Sequence, residues 1–216
     1  MSTVNTHFTF NYSQPAEYRF SHDSVFLARQ AFEISEGVDL AGKSALDIGA
    51  GSGIVGLDFL FHRKVAGLSL PVQFDFLEVQ EVYLNHFETN KIASGLTETD
   101  VRFVHANYDE LQKPEYFQKY DLVLANPPYF LPEHGLLSPS EFKNRCRFFI
   151  DSDFSSLLHG IVNALTPDGA AYLLLKDLPQ HGWNVLAEAK KICGEKINLE
   201  ILGDIRGTLF LRLKKS

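Results

Sequence analysis

Asn126-Pro127-Pro128-Tyr129 holds the most specific chemistry of any four consecutive residues in the chain. Two successive prolines fix φ and remove two backbone donors, so the segment is stiff and offers acceptors only. The Asn126 side-chain oxygen and the Pro127 carbonyl match the two hydrogens of a planar NH₂ group. Tyr129 adds an aromatic face for stacking on a flat ring. The nitrogen of an aromatic amine or an amide is a poor nucleophile because its lone pair is delocalised. Holding both N–H bonds in directions that favour a tetrahedral nitrogen would restore that lone pair as an alkyl group arrives. The alkylated nitrogen is cationic and sheds a proton without a strong base, so the catalytic work is positioning and polar preorganisation. The bland alternative is a strand that ends at an ordinary Pro-Pro turn.

Two further positions sit where a ligand could be held. Asp47-Ile48-Gly49-Ala50-Gly51-Ser52-Gly53 places three glycines at alternate positions, freeing the backbone to turn tightly and approach a ligand. The helix expected after it presents unpaired N–H groups and a positive dipole end, which suits an anionic or carboxylate-bearing cofactor. Gly51-Ser52-Gly53-Ile54-Val55-Gly56 formally matches the dinucleotide fingerprint, but that pattern wants its first glycine directly after the apolar run. Here Asp47 lies inside the strand end, and its carboxylate favours an amine-bearing ligand over a pyrophosphate. A plain tight turn remains the third alternative. Glu78 closes the apolar run Phe74–Leu77, 25 residues beyond Gly53. A carboxylate there can accept both hydroxyls of a ribose, or simply favour a helix N-terminus.

Lys143, Arg145 and Arg147 recur at every second residue after the tetrad, as phosphate contacts or as a solvated face. The stretch from Tyr129 to Arg147 shows no clear periodicity and reads as a loop, mobile over an acceptor pocket or merely connecting. The eight histidines form no metal-ligand grouping. Cys146 and Cys193 are too few for a disulfide scaffold or a cysteine-built zinc site.

The apolar patterning supplies the elements that must carry these residues. Ser44–Ile48, Val72–Leu77, Val101–His105, Tyr120–Ala125 and Ala170–Leu175 read as strands. Ile54–Val65, Val79–Asn90, the stripe from Phe154 to Leu165 and Trp183–Cys193 read as helices, the third stopped near Pro167-Asp168-Gly169. Ile197–Ile201 and Thr208–Leu213 alternate with period 2 around Gly203–Gly207, which reads as a hairpin joint. Strands alternating with helices imply βαβ units, a mainly parallel sheet and ligands bound beyond the strands' C-terminal ends. The tetrad, the glycine turn and Glu78 all fall there.

The chain has 216 residues, 45% hydrophobic and 22% charged, with a net charge of −7. This is the make-up of one globular domain able to bury a large core. A strongly basic nucleic-acid-binding module is excluded, though a local basic patch is not. General affinity for nucleic acid would be weak and salt-sensitive, which disfavours duplex DNA and long RNA and leaves open a flipped base in a structured RNA loop. Met1–Asn11 is polar, without the charged start and apolar run of an export signal, and no stretch approaches the ~18 apolar residues of a membrane span. A cytoplasmic protein is expected.

Taken together, the glycine turn with Asp47, Glu78 and Asn126-Pro127-Pro128-Tyr129 resemble the class I S-adenosylmethionine-dependent methyltransferases that modify amino groups. Gln14–Ala28 (QPAEYRFSHDSVFLA), Phe130 after the tetrad and the basic segment Lys143–Arg147 resemble the bacterial tRNA(Val) adenine-N6 methyltransferase-like group. The resemblance implies an α/β, Rossmann-like, doubly wound sheet of seven strands in the order 3-2-1-4-5-7-6, the last antiparallel. It implies one methyltransferase domain over 1–216, with 1–40 covering cofactor or substrate. S-Adenosylmethionine would lie against Gly49, Gly51 and Gly53, its amino group near Asp47 and its ribose on Glu78. Asn107, or Asp109 two residues on, would meet the adenine. Ser21 and Asp23 would close the site, and Asn126 would face both cofactor and acceptor. Asn126, Pro127, Pro128 and Tyr129 would be catalytic, and Phe130, Lys143, Arg145 and Arg147 would touch substrate. The implied acceptor is adenine N6 in RNA, first of all tRNA, with no metal and no membrane. A protein glutamine, a small molecule, or cofactor binding without turnover are the alternatives. A nicotinamide-dependent oxidoreductase is disfavoured, since hydride transfer needs neither Asp47 nor the tetrad.

Overall fold

The computed structural model describes residues 12–216; the polar start Met1–Asn11 lies outside the described residues. Seven strands form one sheet: β1 (Ser44–Ile48), β2 (Gln73–Glu78), β3 (Asp100–His105), β4 (Tyr120–Ala125), β5 (Leu165–Leu175), β6 (Ile197–Ile205) and β7 (Thr208–Lys215). Their order is β3-β2-β1-β4-β5-β7-β6, as the resemblance implied. The first five are mutually parallel, and β7 runs antiparallel to both β5 and β6.

The central strands are short apolar runs because helices cover both faces. Alternate residues of each strand serve opposite cores. Leu46, Ile48, Val123, Ala125 and Leu173 meet α5 (Phe154–Ala164) and α6 (Val185–Cys193). Ala45, Phe74, Phe76, Leu122 and Leu124 meet α1 (His22–Ile34), α2 (Ile54–Val65) and α3 (Leu84–Ser94). At Gly56 the helix lies so close to the sheet that a Cβ would stand 2.4 Å from the Phe76 ring. The Arg63 side chain is fully buried, its guanidinium spent on the carbonyls of Ser35, Val38 and Ser69 at 2.8–2.9 Å.

Four local expectations are corrected. The helix expected over Val79–Asn90 begins later, as α3 over Leu84–Ser94 after a short 3₁₀ turn over Glu81–Tyr83. Gln80 stays extended because its amide is held by the Glu78 carboxylate at 2.8 Å, and Val82 faces solvent while Tyr83 and Phe87 turn inward. The stop expected at Pro167–Gly169 lies inside β5, which starts at Leu165 and shifts register between its pairings with Tyr120 and Leu122. The hairpin joint is tighter than expected: β6 reaches Ile205, leaving only Arg206-Gly207 as the turn, both at positive φ as a type I′ turn requires. The Tyr129–Arg147 segment is ordered, ending in α4 (Glu141–Arg147). Ser140 caps that helix, and buried Asn144 bonds both backbone groups of Ser138 at 2.7–2.8 Å. Seven residues are too few to show helical periodicity, so the sequence hid this helix.

Within the stretch expected as a cover, α1 is part of the core. Leu27, Ala28 and Ala31 are fully buried, and the helix packs on α2. No helix among the described residues is long and apolar enough to cross a membrane.

Candidate methyl-transfer site

A cavity of about 300 Å³ opens at the C-terminal edge of β1, β2 and β4. The glycine turn forms one wall. Gly49, Gly51 and Gly53 all have positive φ, and Gly53 doubles as the cap of α2, where a Cβ would meet the Phe87 ring at 2.8 Å. Gly49 and Gly51 line the cavity; Gly53 is a packing residue beneath it.

Glu78 stands at the cavity floor with 6% exposure. Its two oxygens accept the Gly51 amide at 2.9 Å and the Gln80 amide at 2.8 Å. Each oxygen keeps a further lone pair, enough for the two hydroxyls of a ribose. Burial raises the Glu78 carboxyl, and the backbone amides oppose that rise. Asp47 does not line the cavity. It is buried under the turn, where Oδ2 accepts the Gly56 amide at 2.9 Å and Oδ1 has no partner among the described residues. Burial, with the charge of Glu78 behind it, pushes Asp47 up to about 8.

The far wall is the tetrad at the tip of β4. The Asn126 amide is held at both ends: Nδ2 donates to Ser24 Oγ at 2.9 Å, and the Tyr129 hydroxyl donates to Oδ1 at 2.6 Å. Burial raises the Tyr129 phenol, with the nearby charge of Asp23 adding, so it remains a donor. Oδ1 keeps one lone pair, and the Pro127 carbonyl follows in the same rigid strand exit. The tetrad is anchored from below: the Tyr129 and Phe130 amides both donate to the Arg147 carbonyl at 3.1–3.2 Å.

Ser21, Asp23, Phe130, Arg145 and Arg147 also line the cavity. Arg145 is paired with Asp151 at 2.9 Å. Lys143 lies outside the lining. Asn107 does not line it either: its oxygen caps the following 3₁₀ turn and its nitrogen donates to the Asp151 carbonyl at 2.8 Å. Asp109 is exposed; the residue between them, Tyr108, lines the cavity instead.

Gln14, Tyr18 and Phe20, a strap within the 1–40 stretch expected as a cover, line the cavity as well, and a set of supports had no signal in the sequence. The strap is pinned by Asn90, whose Oδ1 accepts the Ser13 amide at 2.7 Å and whose Nδ2 donates to the carbonyls of both Ser13 and Ser52. Tyr83 and Gln80 both meet the Cys146 thiol, at 3.3 and 3.4 Å. Burial raises that thiol, so it remains protonated and unreactive. Lys176, just beyond β5, stands over the Tyr129 ring. Partners as far apart as Ser24 and Asn126 leave no local signature. Among the described residues no three His, Cys, Asp or Glu converge to hold a metal ion.

The fold is that of the Rossmann-like methyltransferases. TrmN from Thermus thermophilus aligns with 89% of this chain and 49% of its own, at TM-score 0.58 and 21% identity. The T. thermophilus 16S rRNA N2 G1207 methyltransferase, solved with AdoMet and guanosine, aligns with 93% of this chain and 45% of its own, at TM-score 0.61 and 17% identity. Likenesses at these identities concern the fold alone. The chain itself belongs to a methyltransferase family: residues 21–130, just over half its length, match the model described as lysine methyltransferase. Among curated proteins, the tRNA1(Val) (adenine(37)-N6)-methyltransferase of a Shewanella species is 31% identical over 151 residues, 69% of this chain and 59% of its own length. The protein of that name from Tolumonas auensis is 32% identical over 133 residues, 62% of this chain and 51% of its own length. The chain thus spans between half and three fifths of the length of these relatives.

Proposed function

We propose that the protein transfers a methyl group from S-adenosylmethionine to the N6 amino group of adenine in RNA, with tRNA the first candidate. The observation that carries the reading is the Asn126 amide, locked by Ser24 and Tyr129 at the cavity edge with an acceptor lone pair to spare. The residues present fit the cofactor. A glycine turn approaches closely, the Glu78 oxygens are oriented by backbone amides, and the cavity is large enough for a nucleoside. The bound cofactor supplies an electrophilic methyl group on a sulfonium sulfur. Glu78 would accept the ribose hydroxyls. Gly49 and Gly51 would let the main chain approach the methionine part. Asp47, from under the turn, would act by holding the Gly56 amide.

On the acceptor side, Asn126 Oδ1 and the Pro127 carbonyl would accept the two amino hydrogens while Tyr129 stacks on the base. As the N–C bond formed at the expense of the methyl–sulfur bond, the nitrogen would become cationic and would pass its proton to water, with S-adenosylhomocysteine as the departing product. A lysine ammonium would instead have to lose a proton before attack. Among the described residues no histidine lines the cavity, and Asp23 and Asp151 are paired with Arg206 and Arg145. This favours a planar nitrogen, which carries no proton to be removed first. Work on tRNA would place the protein in the cytoplasm.

The test is isotope-labelled S-adenosylmethionine with unmodified tRNA transcripts and, separately, with cell protein extract, followed by mass spectrometry of the digests. Labelled N6-methyladenosine is the expected product. Label confined to lysine or glutamine side chains overturns the reading.

A further inference from the structure

The charges around the cavity do not balance evenly along its length. Its lining holds three carboxylates and three fixed cations. Glu78 is committed to backbone amides, Asp23 to Arg206 at 3.6 Å and Asp151 to Arg145 at 2.9 Å. Arg147 and Lys176 have no carboxylate partner among the described residues. Both stand at the tetrad. The Arg147 guanidinium lies 5.6 Å from the centre of the Phe130 ring and 5.7 Å from that of Phe148, and its carbonyl holds the Tyr129 and Phe130 amides. The Lys176 ammonium lies 5.9 Å from the centre of the Tyr129 ring and comes from a different strand end. Two adjacent aromatic residues thus each carry an uncommitted cation, in a chain of net charge −7.

We infer that Arg147 and Lys176 form a two-sided phosphate clamp that grips the sugar–phosphate backbone on either side of the acceptor nucleotide. The inference rests on the reading of an RNA adenine as acceptor and adds which side chains would hold the backbone beside it. A base lifted from its stack brings its flanking phosphates to the rim of the pocket that receives it. Cations that ride on aromatic rings are positioned in advance and partly desolvated, so they give up little freedom on meeting a phosphate oxygen. Such contacts set register without reading sequence. Arg145 lines the same cavity and is not part of the clamp, because Asp151 already occupies it.

The test compares the wild type with Lys176→Gln, Arg147→Gln and Lys176→Arg, on an RNA hairpin with single-stranded adenines and on free adenosine. Calorimetric binding of S-adenosylhomocysteine verifies that each variant is folded. Each glutamine variant should raise KM for the hairpin about five- to tenfold, with the loss falling on KM rather than kcat. Each should also lower the slope of log KM against log salt by about 0.7, the share of one phosphate contact on a single strand. Lys176→Arg should restore most of the affinity. Hairpin methylation with unchanged KM and salt slope in both glutamine variants overturns the clamp and leaves the adenine reading standing. A wild type that uses adenosine as well as the hairpin also overturns the clamp alone. A wild type that binds S-adenosylhomocysteine but labels protein and no RNA overturns the adenine reading, and the clamp with it.

Discussion

The two ends of the cavity are built by different means. At the glycine-turn end the main chain does the work: the Gly51 and Gln80 amides hold Glu78, the Gly56 amide holds Asp47, and no bonded pair is more than 27 residues apart. At the tetrad end side chains hold side chains. Ser24 and Asn126 are 102 residues apart, and the Arg147 carbonyl returns from α4 to hold the amides of Tyr129 and Phe130. An end wired through backbone amides tolerates change in most of its side chains but depends on one carboxylate and on local φ values. An end wired through side chains can be re-tuned for a different acceptor by single substitutions.

Breaking the tetrad end should have the largest effect. Asn126→Ala removes an oxygen proposed to act on the reacting nitrogen, so turnover should fall about 100-fold or more. S-Adenosylhomocysteine affinity should stay within a few-fold; a collapse of both would mean that the two ends are not separable. Glu78→Ala attacks the other end. It removes the proposed ribose contacts and strands two backbone amides, so cofactor binding measured by calorimetry should weaken by about 1–3 kcal/mol. Turnover should recover at saturating cofactor, which Asn126→Ala cannot do.

A smaller effect is the pH dependence of stability. Asp47 has its carboxyl raised by burial to about 8, against 3.8 as a free side chain. The folded chain therefore binds this proton more tightly than the unfolded chain. The resulting stability is complete below about pH 4 and is lost as pH rises through about 8, at up to about 1.4 kcal/mol per pH unit. Asp58, buried in α2 with neither oxygen hydrogen-bonded, is raised to about 8 as well and contributes the same trend. Denaturation of wild type and Asp47→Asn between pH 5 and 9 isolates Asp47, because Asp58 is common to both. A difference that does not change with pH would show that Asp47 does not titrate in this way. Ser24→Ala should have the smallest effect. It frees the Asn126 Nδ2 but leaves the Tyr129 bond, so kcat should drop about two- to tenfold, as for the loss of one hydrogen bond, with cofactor affinity unchanged.

Much of this was visible in local sequence. The strand tips could be found because parallel strands buried on both faces read as short apolar runs, and the glycine turn and Glu78 follow them directly. The later start of α3 was not visible, since it depends on the Glu78 carboxylate holding Gln80 extended. Neither was α4, whose stability comes from Asn144 bonding a neighbouring loop rather than from an apolar stripe. Asp47 and Asn107 show the converse. Their positions at strand ends marked them as ligand contacts, yet the structure uses Asp47 to fasten α2 and Asn107 to cap a turn. A strand-end position does not say which way a side chain is spent.

The amino-acid order alone determined where the strands lie and that the sheet is mainly parallel, the turn after β1 and the rigid acceptor pair after β4, because each follows from periodicity, backbone freedom at glycine or its loss at proline within a few residues. Only the tertiary structure decided which way the Asn126 amide points, which cations remain without a carboxylate and which side chains line the cavity. Those outcomes depend on hydrogen bonds and ion pairs between segments far apart in the chain, and such pairings exist only once the sheet has brought them together.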